Sequence, residues 1–390
     1  MIRSIFAAGT LLLLTAHLTA TVAFQGDAAP VTARGDWTTD ARHGWASDDG
    51  PRLQINLRSA DGGSNWGFGV PISELAGLPG AAQAGSASDV RFTWTREAGV
   101  FRFQGSFDQG RGAGTYTFTV NPAFVSGIAS LGYRNLSAEN LLRVAVIDVT
   151  QSYIRGLADA GYKALPFDDL VRMRIHRVSP EMIRDLAALG YRGLLSDELV
   201  RMRIHGATPE FARAMQAAGY AGLSTDDLVR FRIHKVTPDF VKAMEALGYK
   251  AVDREQIVRF RIHKVTPEFV NALGDRGYRN IDAEDLVKMR IHNVSPADID
   301  AFKQLGYGGM DTDELVKMRI HRVTPAFVTE IHAAGFKTVS IDQLVRMRIH
   351  RVDGQFIKDL QADGYQNLTA SDVVDIAIRG PRFSRVRRQP

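Results

Sequence analysis

One dipeptide sets the terms for this chain. Ile-His returns every 29 residues, seven times without a gap, as Ile175-His176, Ile204-His205, Ile233-His234, Ile262-His263, Ile291-His292, Ile320-His321 and Ile349-His350. Gly-aromatic pairs keep the same step, from Gly132-Tyr133 through Gly335-Phe336 to Gly364-Tyr365. A fixed period in this range marks one supersecondary unit that cannot bury its apolar face alone and must stack on copies of itself. Stacked repeats make extended binding surfaces more readily than enclosed catalytic pockets.

Stepping in 29s from Thr208 reaches Ser179, Thr150 and Asn121 upstream and Asp353 downstream, so nine units fit between residues 121 and 381. The outer units are degenerate. Asp148 and Arg379 are read as standing in for the His, and Gly354 for the Pro. Terminal repeats face water on one side, which relaxes their sequence.

The unit from Thr208 to Val236 predicts two short helices. Thr208 is an N-cap, Pro209 fits the first helical position, and Glu210 suits the positive end of the helix dipole. Phe211, Met215 and Ala218 share one face, and Gly219 ends the helix in the left-handed region. Ser224 to Asp227 is a capping box that opens the second helix, and Val236 is placed to staple against Val241. Helices of about ten residues are marginal alone, so neighbouring units must supply their stability.

The run Val229-Arg230-Phe231-Arg232-Ile233-His234 alternates like a strand, which keeps an α/β solenoid open as the alternative. Asp168, Asp197, Asp226, Glu255, Glu284, Asp313 and Asp342 each precede a Lys or Arg by four, the favourable helical order. In a helix, Arg232 falls inside the arc of Leu228, Phe231 and Ile233. A guanidinium there needs partners. Arg174, Arg203, Arg232, Arg261, Arg290, Arg319 and Arg348 are therefore expected to bond to acidic residues or helix ends in their own or adjacent units.

Residues 35–120 read instead as an antiparallel β domain. Leu53 to Leu57, Val90 to Trp94, Val100 to Phe107 and Tyr116 to Val120 alternate apolar and polar, and Glu97-Ala98-Gly99 reads as a hairpin turn. Gly105, Gly110, Gly112 and Gly114 lack the helix and the Lys-Ser/Thr of a phosphate-binding loop, so they are assigned to a turn.

Arg3 followed by the apolar run Ile5 to Leu14, with Thr21-Val22-Ala23 as a cleavage site, predicts a signal peptide at 1–23 and a periplasmic or secreted chain. Residues 24–34 are small and polar, a flexible lead-in. No later segment approaches the roughly 20 apolar residues of a membrane span. There is no cysteine, which excludes disulfides, thiolate metal sites and cysteine nucleophiles. Of 48 Lys and Arg, five are Arg379, Arg382, Arg385, Arg387 and Arg388, and the remaining 43 balance the 43 Asp and Glu. The basic character thus lies in a tail at 382–390, and a nucleic-acid partner is disfavoured.

The His column invites a metal reading. Ligands must lie about 2 Å from one ion, whereas equivalent residues in stacked helices are roughly 8–10 Å apart. His176, His205, His234, His263, His292, His321 and His350 are therefore expected to be structural, each imidazole closing the end of a second helix. His332 stands outside the column. The sequence carries no His-Glu-x-x-His, Gly-x-Ser-x-Gly or P-loop, and it implies no catalytic residue, cofactor or metal.

The unit Leu-Val-Arg-Met-Arg-Ile-His-x-Val-Thr-Pro-x-Phe-Val, followed by Leu/Ala-Gly-Tyr, resembles a repeat of one bacterial family. These are the antirepressor-type membrane metallopeptidases related to the β-lactam sensor-transducers, where such repeats lie outside the peptidase domain. The likeness covers residues 121–381. The peptidase motif and membrane helices are absent, so no catalytic residue carries over. The resemblance implies an exported accessory or sensory module beside an envelope membrane protein. The expectation is thus a non-catalytic scaffold that binds a protein partner. The rival expectations are a small-ligand or enzymatic role for residues 35–120 and polyanion binding through the Arg column and tail.

Overall fold

A computed structural model of the chain describes residues 32–40, 46–47, 50–78, 87–250 and 252–380. The expected signal peptide, residues 24–31 of the lead-in and the basic tail lie outside the described residues. The chain divides into two compact units, one ending at Ile204 and the other beginning at His205.

The first unit opens with an antiparallel sheet. Its strands are β1 (Thr32–Asp40), β2 (Ala46–Ser47), β3 (Gly50–Ser59), β4 (Asn65–Pro71), β5 (Leu75–Ala76), β6 (Ala87–Arg96), β7 (Gly99–Asp108) and β8 (Arg111–Val120). The order is β2-β3-β1-β8-β7-β6-β5, with β4 also paired to β3. The sheet begins before the expected boundary: residues 32–34 already pair with 119–117 of β8. Small polar residues hide a strand whose register is set by its neighbour rather than by its own alternation.

Alternation places Trp37, Ile55, Phe92, Trp94, Phe101, Phe103 and Phe118 on the inner face, all buried. Phe92 stacks on Phe103 with ring centres 4.6 Å apart, and Trp37 meets Phe92 edge-on at 5.3 Å. Phe68 of β4 stacks on Trp94 of β6 at 5.1 Å, although four strands separate them in the sheet order. The sheet is therefore curled around one aromatic core. Gly105 and Gly114 face each other across β7 and β8, and a Cβ on either would fall 2.1 or 2.0 Å from a facing carbonyl oxygen. Of the four glycines assigned to a turn, only Gly110 sits in one. It forms the β7–β8 hairpin with Gln109, both at positive φ (79° and 47°), as a type I′ turn requires. Gly99 likewise opens β7, while Glu97-Ala98 alone form the turn that precedes it.

Beyond the sheet the described residues form eighteen helices, two per 29-residue unit. The first helices are α1 (Pro122–Ser130), α3 (Gln151–Asp159), α5 (Pro180–Ala188), α7 (Pro209–Ala217), α9 (Pro238–Ala246), α11 (Pro267–Gly274), α13 (Pro296–Gln304), α15 (Pro325–Ala333) and α17 (Gly354–Ala362). The second helices are α2 (Ala138–Val146), α4 (Phe167–Ile175), α6 (Ser196–His205), α8 (Thr225–Ile233), α10 (Arg254–Ile262), α12 (Ala283–Ile291), α14 (Thr312–Ile320), α16 (Ile341–Ile349) and α18 (Ala370–Arg379). The fold is an α-solenoid behind a β domain, and the strand-like run 229–234 is helical as far as Ile233.

Thr208 caps α7 by accepting from the Phe211 N–H, and Ser224 forms the reciprocal capping box with Asp227 at α8. Both helices of a unit end in Schellman motifs. After α7, Gly219 N–H reaches the Gln216 carbonyl and Tyr220 N–H the Met215 carbonyl. After α8, Lys235 and Val236 make the equivalent bonds to Arg232 and Phe231. Leu228, Val229, Phe231 and Val236 are buried, as are Phe211 and Met215 of the first helix.

The sheet rests on the first repeats within its own unit. The Asn121 N–H donates to the Ala98 carbonyl at 2.9 Å, the Gln151 N–H to a Glu97 carboxylate oxygen at 3.2 Å, and the Ser64 hydroxyl to Glu139 at 2.7 Å.

Candidate functional site

The second helix of each unit ends in Arg-Ile-His, and the three side chains go to three different places. The Arg reaches inward. Arg232, Arg261, Arg290 and Arg319 donate from Nε to the carbonyls of His205, His234, His263 and His292 at 3.3–3.4 Å. Arg348 does the same to Arg322, and Arg174 to Ile147. Each thus satisfies a carbonyl at the end of the preceding unit's second helix.

The same guanidinium lies over the aromatic ring 21 positions earlier. The distances to the ring centre are 5.2 Å for Arg174 on Tyr153, 5.0 Å for Arg232 on Phe211, 4.7 Å for Arg261 on Phe240, and 4.8 Å for both Arg290 on Phe269 and Arg348 on Phe327. Where that ring is replaced by Asp298, Arg319 pairs with its carboxylate at 3.5 Å. Where it is replaced by Met182, Arg203 has neither contact among the described residues. Six of the seven arginines meet the expectation of bonded partners, and Arg203 departs from it.

The His column sits at the helix ends, but the imidazoles do not close them. His176, His234, His263, His292, His321 and His350 are C-cap residues and His205 is the last residue of α6. The arginines use the main-chain carbonyls of four of them, His205, His234, His263 and His292. The closing bonds come from the next two N–H groups, so backbone geometry does what was expected of the ring. Asp148, read as the His replacement in the first unit, is one residue beyond that place. Ile147 occupies it, and Asp148 takes a separate bond from Arg174 at 2.9 Å. Burial, and then Arg172, pull the His176 pKa below its ordinary value.

The Ile points outward. Ile175, Ile204, Ile233, Ile262, Ile291, Ile320, Ile349 and Ile378 are 38–56% exposed, while the apolar residues two, four and five positions before each are buried. Ile233 therefore lies outside the apolar arc that the helical wheel assigned to it.

A ladder of ion pairs joins consecutive second helices. Arg143 meets Asp168 at 2.9 Å, Arg259 meets Glu284 at 2.6 Å and Lys288 meets Asp313 at 3.1 Å. Arg172–Asp197, Arg230–Glu255 and Lys317–Asp342 continue it. The four-residue spacing was read as a bond within one helix. The acid instead faces the base 25 positions earlier, because the stacked helix brings a closer and straighter partner. A second ladder uses the Gly-Tyr hydroxyls. Tyr162, Tyr220, Tyr249, Tyr278 and Tyr307 each donate to the carbonyl 32 positions on, at Leu194, Val252, Ile281, Met310 and Val339. Burial raises all five phenol pKa values, to about 12 for Tyr220 and Tyr249.

In the β domain the interior is filled by rings. The Tyr116 hydroxyl is buried there with no hydrogen-bond partner among the described residues, and burial, followed by Asp61 and Asp36, raises its pKa to about 12. A trough of about 350 Å³ lies on the outer face among Arg91, Thr93, Arg102, Gln104, Thr115 and Thr117. In the second unit a trough of about 690 Å³ between Tyr278 and Tyr307 is lined by Asp282, Asp300 and Asp311. Among the described residues no group of three His, Asp or Glu is arranged to hold a metal ion, and no helix is long and apolar enough to cross a membrane. The chain matches no protein-family model and no curated protein.

Proposed function

We propose that this protein is an exported, non-catalytic repeat scaffold that binds a partner protein along the edge carrying the Ile column. The observation that supports this most is the exposure of one Ile in each repeat of the second compact unit, from Ile233 to Ile378. An exposed β-branched residue adds nothing to the core and is a modest helix former, so folding does not demand it. Its return at one place in each unit builds a regular apolar row, which is what a binding edge needs. Six of the seven arginines next to it are occupied by carbonyls together with a ring or a carboxylate, which favours protein binding over polyanion binding. The resemblance of the repeat to that of the sensor-type metallopeptidases suggests a partner in the bacterial envelope.

The test places a photo-crosslinking amino acid at Ile291 in the full chain in cells, with Asn271, exposed on α11, as the comparison position. A saturable crosslink to one protein from position 291 and none from 271 is expected. If neither position crosslinks, and small molecules instead raise the melting temperature through residues 35–120, the ligand-binding reading replaces this one.

A further inference from the structure

We infer that the Ile column of the second unit is a track for an acidic, extended segment of a partner protein, wound as a polyproline-II helix with an apolar residue at every third position. This rests on the scaffold reading and adds the chemistry of the occupant.

The column is as uniform as the Arg before it and the buried Val four before it, from Val171 to Val345. Ile and His are identical in the seven units from Ile175-His176 to Ile349-His350, although Ile is exposed. The residue after His varies among Arg177, Gly206, Lys235, Lys264, Asn293, Arg322 and Arg351, and the buried position two before Ile alternates between Met and Phe. The Arg is held by bonds in six of the seven units and the Val by burial, whereas the Ile is uniform and exposed, which fits a surface that meets something periodic.

Charge indicates what that is. Lys235, Lys264, Arg322 and Arg351 are exposed, hold left-handed backbone at φ 55–59°, and have no carboxylate partner among the described residues. The cations of the ladder differ: Arg230, Arg259, Lys288 and Lys317 each face a carboxylate of the next unit. Four cations without a carboxylate partner among the described residues thus stand beside the Ile, one in each of four units. An acidic segment with apolar side chains complements both rows.

Spacing indicates its conformation. Stacked helices repeat at roughly 8–10 Å. A polyproline-II helix rises about 3.1 Å per residue with three residues per turn, so one face repeats at about 9 Å. A β-strand repeats a face at about 6.7 Å and would drift out of step within two units. One Ile per unit makes a narrow rail, whereas a membrane-binding surface needs a broad apolar face.

The test is fluorescence anisotropy of the full chain with labelled peptides. The probe is (Leu-Glu-Pro)6, compared with (Leu-Lys-Pro)6 and (Ser-Glu-Pro)6. Saturable binding of the first, at least tenfold weaker for the other two, is expected. The triple variant I262S/I291S/I320S should weaken it at least tenfold, and so should K235E/K264E/R322E, which leaves the apolar row intact. Unchanged binding by either variant overturns the proposal. So does stronger binding to vesicles of 30% phosphatidylglycerol in phosphatidylcholine, or a dimer in sedimentation that I262S/I291S/I320S abolishes. If no peptide binds but position 291 still crosslinks to a protein in cells, this occupant is wrong and the scaffold reading stands.

Discussion

The Arg261 guanidinium lies 4.7 Å above the Phe240 ring while its Nε donates to the His234 carbonyl at 3.4 Å. One side chain thereby ties its own second helix to its own first helix and to the end of the preceding second helix. The Arg column, expected from the sequence to bond to helix ends, acts as a rivet that also covers a ring.

Removing the rivet should cost stability. A cation–π contact contributes about 0.5–2 kcal/mol and a charged hydrogen bond about 1.5–3 kcal/mol, with overlap between them. Arg261→Ala is expected to lower unfolding free energy by about 1–2 kcal/mol in urea titration, discounted for its partial exposure. Arg203→Ala, at the unit where Met182 replaces the ring, should change little. Met182→Phe should stabilise by about 0.5 kcal/mol, an effect that Arg203→Ala removes.

The hydroxyl ladder predicts alkaline loss of stability. Burial raises Tyr220 and Tyr249 to about 12 from an ordinary value of 10. Between those values the unfolded chain releases phenolic protons that the folded chain keeps, so unfolding is favoured as pH rises. Stability is full below pH 10 and falls from 10 to 12, which thermal melts across that window would register. Tyr249→Phe should shrink the fall, and should cost about 1 kcal/mol at pH 7 because the Ile281 carbonyl loses its donor.

The caps, the Pro and Gly punctuation and the nine helix pairs were legible because each is a local rule: Thr208-Pro209, Ser224 to Asp227 and Gly219 act within a few residues. Long-range pairing was not legible. The Asp-to-base step of four fits a helical bond, yet Glu255 faces Arg230 of the preceding unit. The step of 21 from Phe240 to Arg261 had no pattern to announce it, although its failure at Met182 and Asp298 is visible in the repeat alignment. The outward Ile was missed because an apolar residue in a helical arc is assigned to the core by default. In the sheet, Gly105 and Gly114 looked like turn residues, since close strand approach has no local signature.

The carboxylates of the ladder give an acid limb. Hydrogen bonds from Arg230 and Arg259 hold Glu255 and Glu284 below their ordinary value of 4.5. A depressed carboxylate supports the fold above its unfolded pKa, and that support is lost as pH falls through the folded value. Melting temperature should drop below pH 4.5, less steeply in E255Q/E284Q. At neutral pH, high salt should narrow the gap between that variant and the parent, since the pairs are exposed.

Gly248 ends α9 at φ +98°, where a Cβ is strained. Gly248→Ala should destabilise by about 1–2 kcal/mol. Lys264 holds a similar region at φ +58°, and Lys264→Gly should be neutral or stabilising by up to about 1 kcal/mol. Chemical denaturation of the two variants side by side would read both signs.

On the function proposed above, the Ile column serves binding and not folding. The most direct measurement is the crosslinking yield from position 291 in cells when I233S/I262S/I320S are introduced beside it, read with the melting curve of the same variant. Surface changes of this kind alter stability by about 0.5 kcal/mol or less each. A near-parental melting temperature with the partner lost is the predicted result. An unchanged partner yield, or a collapse of the melting transition at these exposed positions, would contradict it.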